Sequence, residues 1–188
     1  AFSSATDTAS LTINAVNDAP VLADTAVSLN AQNEDSGAPV GAVGTLVSSL
    51  VDLTGGGGQN NVTDVDSGAV TGLAITAADT ASGSWFYSLN NGTAWNALGA
   101  VTNASARLLA ADANTRVYFQ PNADFNGTLA SALTFRAWDQ TSGTAGTKVT
   151  TASNGGTTAF SSATDTIDVS VSDVNDAPVL ADTALSIT

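Results

Sequence analysis

Asp173-Val174-Asn175-Asp176-Ala177-Pro178 decides how the rest of this chain is read. Nearly the same stretch stands at Ala15-Val16-Asn17-Asp18-Ala19-Pro20, and both run on into Val-Leu-Ala-Asp-Thr-Ala, at Val21–Ala26 and Val179–Ala184. The match also extends backward: Ala1–Thr8 returns as Ala159–Thr166, an offset of 158 residues. A period of that length means a tandem array. Ahead of each copy lies an alternating apolar run, Leu11, Ile13 and Ala15 in the first and Ile167, Val169 and Val171 in the second. That is the pattern of a strand with one buried face. Each run stops at Asn-Asp-Ala-Pro, where proline removes a donor and holds its neighbour extended, so the chain leaves one sheet without a tight turn. The expected organisation is therefore 1–18 as the last strand and linker of a preceding unit, 19–176 as one full unit, and 177–188 as the first strand of the next. On this reading the chain is a piece of a longer polypeptide.

Of 188 residues, 17 are acidic and 4 basic, for a net charge of −13. Sixteen of the acids are Asp and one, Glu34, is Glu. Acidic disordered chains are poor in apolar residues, whereas this one is 43% hydrophobic and rich in Val, Thr, Ile and Leu, so it folds. The charge excludes nucleic acid as a partner and favours cations. Without Cys there are no disulfides and no thiolate metal sites; without His the commonest general base is missing. No apolar run reaches the roughly 20 residues of a membrane helix, so no direct membrane insertion is expected.

Along the full unit, Val21–Leu29 reads as its first strand and Glu34-Asp35-Ser36-Gly37 as a turn. Val43, Leu46, Val47, Leu50 and Val51 have helical spacing, which predicts one short helix near 43–51. Gly55–Asn61 is a flexible loop. Strands follow at Val70–Ala77 and Ser84–Leu89, with Trp85, Tyr87 and Leu89 on one face. Asn90-Asn91-Gly92-Thr93 has the chemistry of a hairpin turn. Thr93–Leu98, Arg107–Ala110, Arg116–Gln120 and the run through Leu133, Phe135 and Ala137 are further strands; Gln140–Thr158 is a long loop or weak hairpin; Phe160–Val174 closes the unit. Short strands with frequent turn signals make an all-β antiparallel sandwich with Greek-key connections.

Carboxylates gather at the predicted strand ends: Asn17-Asp18, Asp64-Val65-Asp66, Asp139, and Asp173 with Asn175 and Asp176. Glu34-Asp35 and Asp124/Asn126 add to them. Like charges packed together repel by kcal/mol at short range unless a cation intervenes. Ca²⁺ suits such a set best, since it takes six to eight oxygens with tolerant geometry. One isolated Asp in a turn is ordinary turn chemistry; the spacing of the whole set is what points to ligation.

The order of these motifs resembles a cadherin repeat, and more closely the cadherin-like repeats of giant bacterial RTX-type surface adhesins. Glu34, Asp64-Val65-Asp66-Ser67-Gly68, Ala137-Trp138-Asp139 and Asp173-Val174-Asn175-Asp176-Ala177-Pro178 follow the family's order, and Pro121-Asn122-Ala123-Asp124-Phe125-Asn126-Gly127 is a recurrent segment of the bacterial members. The resemblance implies an Ig/cadherin-like sandwich with Ca²⁺ at the junctions between units. It implies that Asp64, Asp66 and Asp139 meet Asn17 and Asp18 of the preceding linker, and that Glu34 meets the following linker with Asp173, Asn175 and Asp176. Ala15 replaces the linker's first Asp, and the family's Leu-Asp-x-Glu has only a loose counterpart in Asp124.

Two functions follow as expectations. One is a Ca²⁺-rigidified extender of a large extracellular or cell-surface bacterial adhesin, with neighbouring repeats as its partners. The alternative is a carbohydrate- or protein-binding module of the same adhesin, built on loops 55–61 and 140–158, with a glycan or surface ligand. Trp85, Tyr87, Trp95 and Trp138 could form a sugar platform, but aromatics at alternating strand positions are more often core. Asp64 and Asp66 fit metal ligation better than a glycosidase pair, and no enzyme is expected.

Overall fold

The computed structural model describes residues 1–181. Its strands are β1 (Val21–Leu22), β2 (Val27–Ser28), β3 (Gln32–Asn33), β4 (Thr45–Leu46), β5 (Val62–Thr63), β6 (Gly72–Ala78) and β7 (Gly83–Ser88). They continue as β8 (Asn96–Ala97), β9 (Ala106–Ala110), β10 (Arg116–Pro121), β11 (Gly127–Ala137), β12 (Lys148–Val149) and β13 (Asp165–Ser172). The larger sheet has the order β12-β9-β6-β11-β13-β2, with β3 also on β13; the smaller is β4-β10-β7-β8, and β1 pairs with β5 alone. The protein is an all-β sandwich.

One apolar core lies between the two sheets. Leu73 and Ile75 of β6, Leu133 and Phe135 of β11, and Ile167, Val169 and Val171 of β13 face Trp85 and Tyr87 of β7 and Val117 and Phe119 of β10. Their spacing of two is the strand period, so one face of each strand enters the core. A second cluster covers the outer face of the larger sheet, where Ala74, Leu108 and Ala110 meet Trp138 and Phe160. Loop 140–158 supplies that cover. It carries β12, which pairs with β9, and Ser142 O accepts the Trp138 indole N–H at 2.7 Å. Thus Trp85, Tyr87 and Trp138 are core, as their alternation suggested. Trp95 stands apart on the outer side, edge-on to Tyr118 at 5.9 Å.

Several elements differ from the sequence reading. The expected strand 21–29 is two strands in different sheets, because Leu22 turns to β5 while Val27 and Leu29 turn to β13. β2 and β3 run parallel to β13, an exception in an otherwise antiparallel sandwich. The expected helix near 43–51 is one 3-10 turn at Val47–Ser49 preceded by β4; β-branched residues and Gly44 at φ 74° oppose a longer helix. Leu89 is 38% exposed, beyond the end of β7. Residues 1–16 form no strand, and Phe2, Leu11 and Ile13 are bare. Their duplicate already fills the place beside β11, so they have no sheet to join. Of the expected strand at 177–188, residues 182–188 lie outside the described residues, and 177–181 form none.

Candidate metal centres

The carboxylates collect at two ends of the sandwich. At the front end, the chain comes in through Asn17-Asp18. Asn17 Nδ2 donates to Asp139 Oδ2 at 2.9 Å and to Thr158 O at 3.3 Å. The backbone N–H of Asp18 donates to Asp66 Oδ2 at 2.9 Å, and that of Ala19 to Gly156 O at 2.8 Å. Asp66 N in turn donates to Asp64 Oδ1 at 2.9 Å. The turn that follows needs Gly68, at φ 75°, to bring Ala69 N back to Asp66 O. Asp139 lies two residues past the end of β11, is 4% exposed, and receives Thr141 N and Thr141 Oγ1 on its other oxygen. An open cleft of about 400 Å³ lies between Asn17, Asp64, Asp66 and Asp139. Asp18 and Asp64 share a neighbouring cleft.

At the rear end, β13 runs out past Glu34. Glu34 is 3% exposed. Its Oε1 accepts Val174 N, and its Oε2 accepts Asn126 Nδ2 at 2.9 Å. The same Asn126 nitrogen reaches Asp173 Oδ1 at 3.2 Å. Beside them, carboxylate oxygens of Asp35, Asp124 and Asp176 lie within 4.8 Å of one another, all three exposed. Asp35 and Asp124 are both left-handed, at φ 58° and 57°, and Asp124 N donates to Asp35 Oδ1 at 3.3 Å. Among the described residues, the Asn175 side chain makes a local bond, to Asp176 O.

The ten sequence-named residues therefore fall into these two groups: Asn17, Asp18, Asp64, Asp66 and Asp139 in front; Glu34, Asp124, Asp173 and Asp176 behind, with Asn175 between the last two in sequence. Asp124 finds its place in the rear group. Asp35 and Asn126, noted in the sequence only as neighbours of the clusters, are integral to it.

The basic side chains leave this charge uncompensated. Arg107 donates to Gly146 O and Leu98 O, Arg116 to Asn91 Oδ1 and Gly44 O, Arg136 to the carbonyls of Ser161, Ser162 and Ala163, and Lys148 to Ala100 O. All of these acceptors are neutral. At the rear, the Val174 N–H and the Asn126 amide hold the Glu34 carboxyl below its ordinary range. Asp176 is pushed the other way, first by desolvation and then by the charges of Asp124, Asp35, Glu34 and Asp173. One cluster thus contains both a carboxylate satisfied by protein donors and one that is not.

The Ca²⁺ that the cadherin resemblance implies fits these residues. Every side-chain donor the two groups can turn on a cation is a hard oxygen. Asp64 Oδ2 is buried without a hydrogen-bond partner among the described residues, an acceptor orphaned in a cleft. Asp64, Asp66, Asp139 and the Asn17 amide would hold an ion in front; Glu34, Asp35, Asp124, Asp173 and Asp176 would hold ions behind. Among the described residues no helix is long and apolar enough to cross a membrane. No family model, curated protein or solved structure matches the chain.

Proposed function

We propose that this chain is a Ca²⁺-rigidified extender repeat of a large bacterial adhesin, working outside the cell on its surface or as secreted protein. Its partners are the neighbouring repeats of the same polypeptide. It acts as a spacer and performs no catalysis.

One observation carries the reading. The same Asn-Asp-Ala-Pro sequence stands at both ends of the sandwich, and at each end it meets carboxylates brought together from distant loops. A chain copied in tandem would put the rear group of one unit beside the front group of the next, and the two negative ends would repel across the linker without a cation. Cations bound there tie linker to unit on both sides and remove the freedom of the joint.

Calorimetric titration of the chain with Ca²⁺ tests the metal half of this reading; absence of heat and of stoichiometric uptake would sink it. X-ray scattering from a chain of two such units tests the extender half. The expected result is a rod of fixed length in Ca²⁺ that shortens and broadens its length distribution under chelator. A length indifferent to Ca²⁺ would refute it.

A further inference from the structure

Residues 1–16 are a copy of the stretch that ends in β13, and the places where the two differ follow a pattern. At the offset of 158, Phe2, Ser3 and Asp7 correspond to Phe160, Ser161 and Asp165. Those three are anchors of the folded unit. Phe160 packs in the outer cluster, and Ser161 Oγ accepts Ala137 N at 2.9 Å. Asp165 Oδ2 accepts Thr25 N at 3.2 Å and Thr25 Oγ1 at 3.3 Å. The leading segment carries all three groups, so it has what is needed to begin docking beside β11 of a second copy.

Past Thr8 the copies part, and they do so at the contacts that hold β13. Ile167 is fully enclosed, opposite Leu133 on one side and Val27 on the other. Its counterpart Ala9 lacks three of its carbons and would leave a hole there. Val169 and Val171, also buried, correspond to Leu11 and Ile13, each larger by one methylene, which a packed core resists. Asp168 Oδ1 accepts Ser131 N at 2.7 Å. Ser131 stands at φ 54°, where the β11–β13 ladder shifts register between Leu129 and Leu133, so the Asp168 carboxylate holds the bulge that the ladder skips. Its counterpart Ser10 is one bond shorter and uncharged. Asp173 Oδ1 accepts Asn126 Nδ2 at 3.2 Å, and its counterpart Ala15 has no side-chain acceptor.

A second copy's leading segment seated beside β11 would run in the direction of β13, and its Asn17-Asp18 would emerge at the rear end, where the linker to a following unit belongs. The wrong join follows the same course as the right one, and strand exchange of this kind is a characteristic misassembly of tandem repeats. We propose that the place beside β11 discriminates β13 from its copy at residues 7–15 of a second chain, and that Ile167 and Asp168 decide the choice. The use of this to neighbouring repeats rests on the extender reading; the discrimination itself does not.

The test uses the 188-residue chain with Ile167→Ala and Asp168→Ser, whose own β13 is weakened, refolded from urea in chelator with a dye-labelled peptide in excess. Three peptides are compared: residues 159–176, residues 1–18, and residues 1–18 with Ala9→Ile and Ser10→Asp. The 159–176 peptide should co-elute with the chain and raise its urea midpoint. The 1–18 peptide should bind at least about tenfold more weakly, and the two substitutions should recover most of that difference. If the chain does not fold alone, the same ranking is read from the recovery of its near-ultraviolet circular dichroism on adding each peptide. The proposal fails if the 1–18 and 159–176 peptides bind equally, if the two substitutions bring no gain, or if no peptide is captured. Because chelator is present throughout, these outcomes are independent of Ca²⁺ uptake, and the scattering of a two-unit chain reports separately on the extender reading.

Discussion

The Asn17 amide nitrogen lies 2.9 Å from Asp139 Oδ2, so a residue ahead of the first strand of the sandwich is tied to one just past β11. Asp139 is almost wholly enclosed, and its second oxygen is already taken by Thr141. Replacing Asn17 by Ala leaves a buried acceptor short of a partner. Without Ca²⁺ the variant should lose about 1–3 kcal/mol in chemical denaturation. No measurable loss would mean that the linker is not docked in solution.

Asp66 offers the cleanest separation of metal binding from folding. Asp66→Asn keeps an oxygen for the Asp18 N–H but removes a charge from the front group. Stability in chelator should be unchanged, while the front-end Ca²⁺ response disappears. Extracellular sites of this kind bind at roughly 10⁻⁴–10⁻³ M. At a hundredfold excess over Kd, each occupied site adds about 2.7 kcal/mol, visible as a rise in Tm that chelator reverses. A variant whose Tm still rises as far as that of the parent chain would place the ion elsewhere.

At the rear, two carboxyls respond to pH with opposite sign. Glu34 has a lowered pKa, so its bonds to Val174 and Asn126 contribute stability above the ordinary value of 4.5 and are lost as pH falls through the folded value. Asp176 has a raised pKa. Its favourable contribution is present below 3.8 and is lost as pH rises through the folded value. Once corrected for the intrinsic pH dependence of exchange, the protection of the Val174 amide without Ca²⁺ should therefore rise as the sample is acidified from neutrality, then fall at lower pH. Asp176→Asn should abolish the first change and keep the second. A monotonic profile in the parent chain would refute this account.

Phe135 and Gly92 test the sandwich itself. Phe135 is fully enclosed between the sheets, and Phe135→Ala should cost about 3–5 kcal/mol. Gly92 sits at φ 82° in the 90–93 turn, where a Cβ would fall 1.8 Å from Gly41 O. Gly92→Ala should destabilise by more than about 1 kcal/mol. Urea denaturation measures both, and near-neutral values would show that the turn or the core is elsewhere.

Much of this was legible in the chain because it depends on spacing. The alternation of Ile167, Val169 and Val171 identified β13, and that of Leu133, Phe135 and Ala137 identified β11. Other features depend on contacts between distant residues. Asp35 and Asp124 are 89 residues apart and meet only because each sits in a left-handed turn, which nothing in their neighbours demands. The split between β1 and β2 was hidden because Leu22 and Val27 are equally apolar and only the sheets that receive them differ. The double role of loop 140–158, as cover for Trp138 and as acceptor for the linker, follows from packing that its Gly- and Thr-rich sequence does not announce. The reading of Glu34 beside the following linker came from the family resemblance; Val174 N on its carboxylate is the contact found there.

The parallel pairing of β2 and β3 with β13 has a mechanical meaning. The chain comes in at the front and leaves at the rear, so tension on its two ends pulls β2 and β13 in opposite directions along their common axis. Val27 is paired with Ile167, Ser28 with Asp168, Gln32 with Val171 and Asn33 with Ser172. Leu29 N on Asp168 O and Glu34 N on Ser172 O lie in the same seam. A load applied this way strains all these bonds together, in shear, instead of peeling them one after another. Antiparallel terminal strands would have unzipped from one end under the same pull. Rupture of this unit therefore requires the whole seam to fail at once, and Val174, held on Glu34, extends it by one more bond at the end where the force leaves.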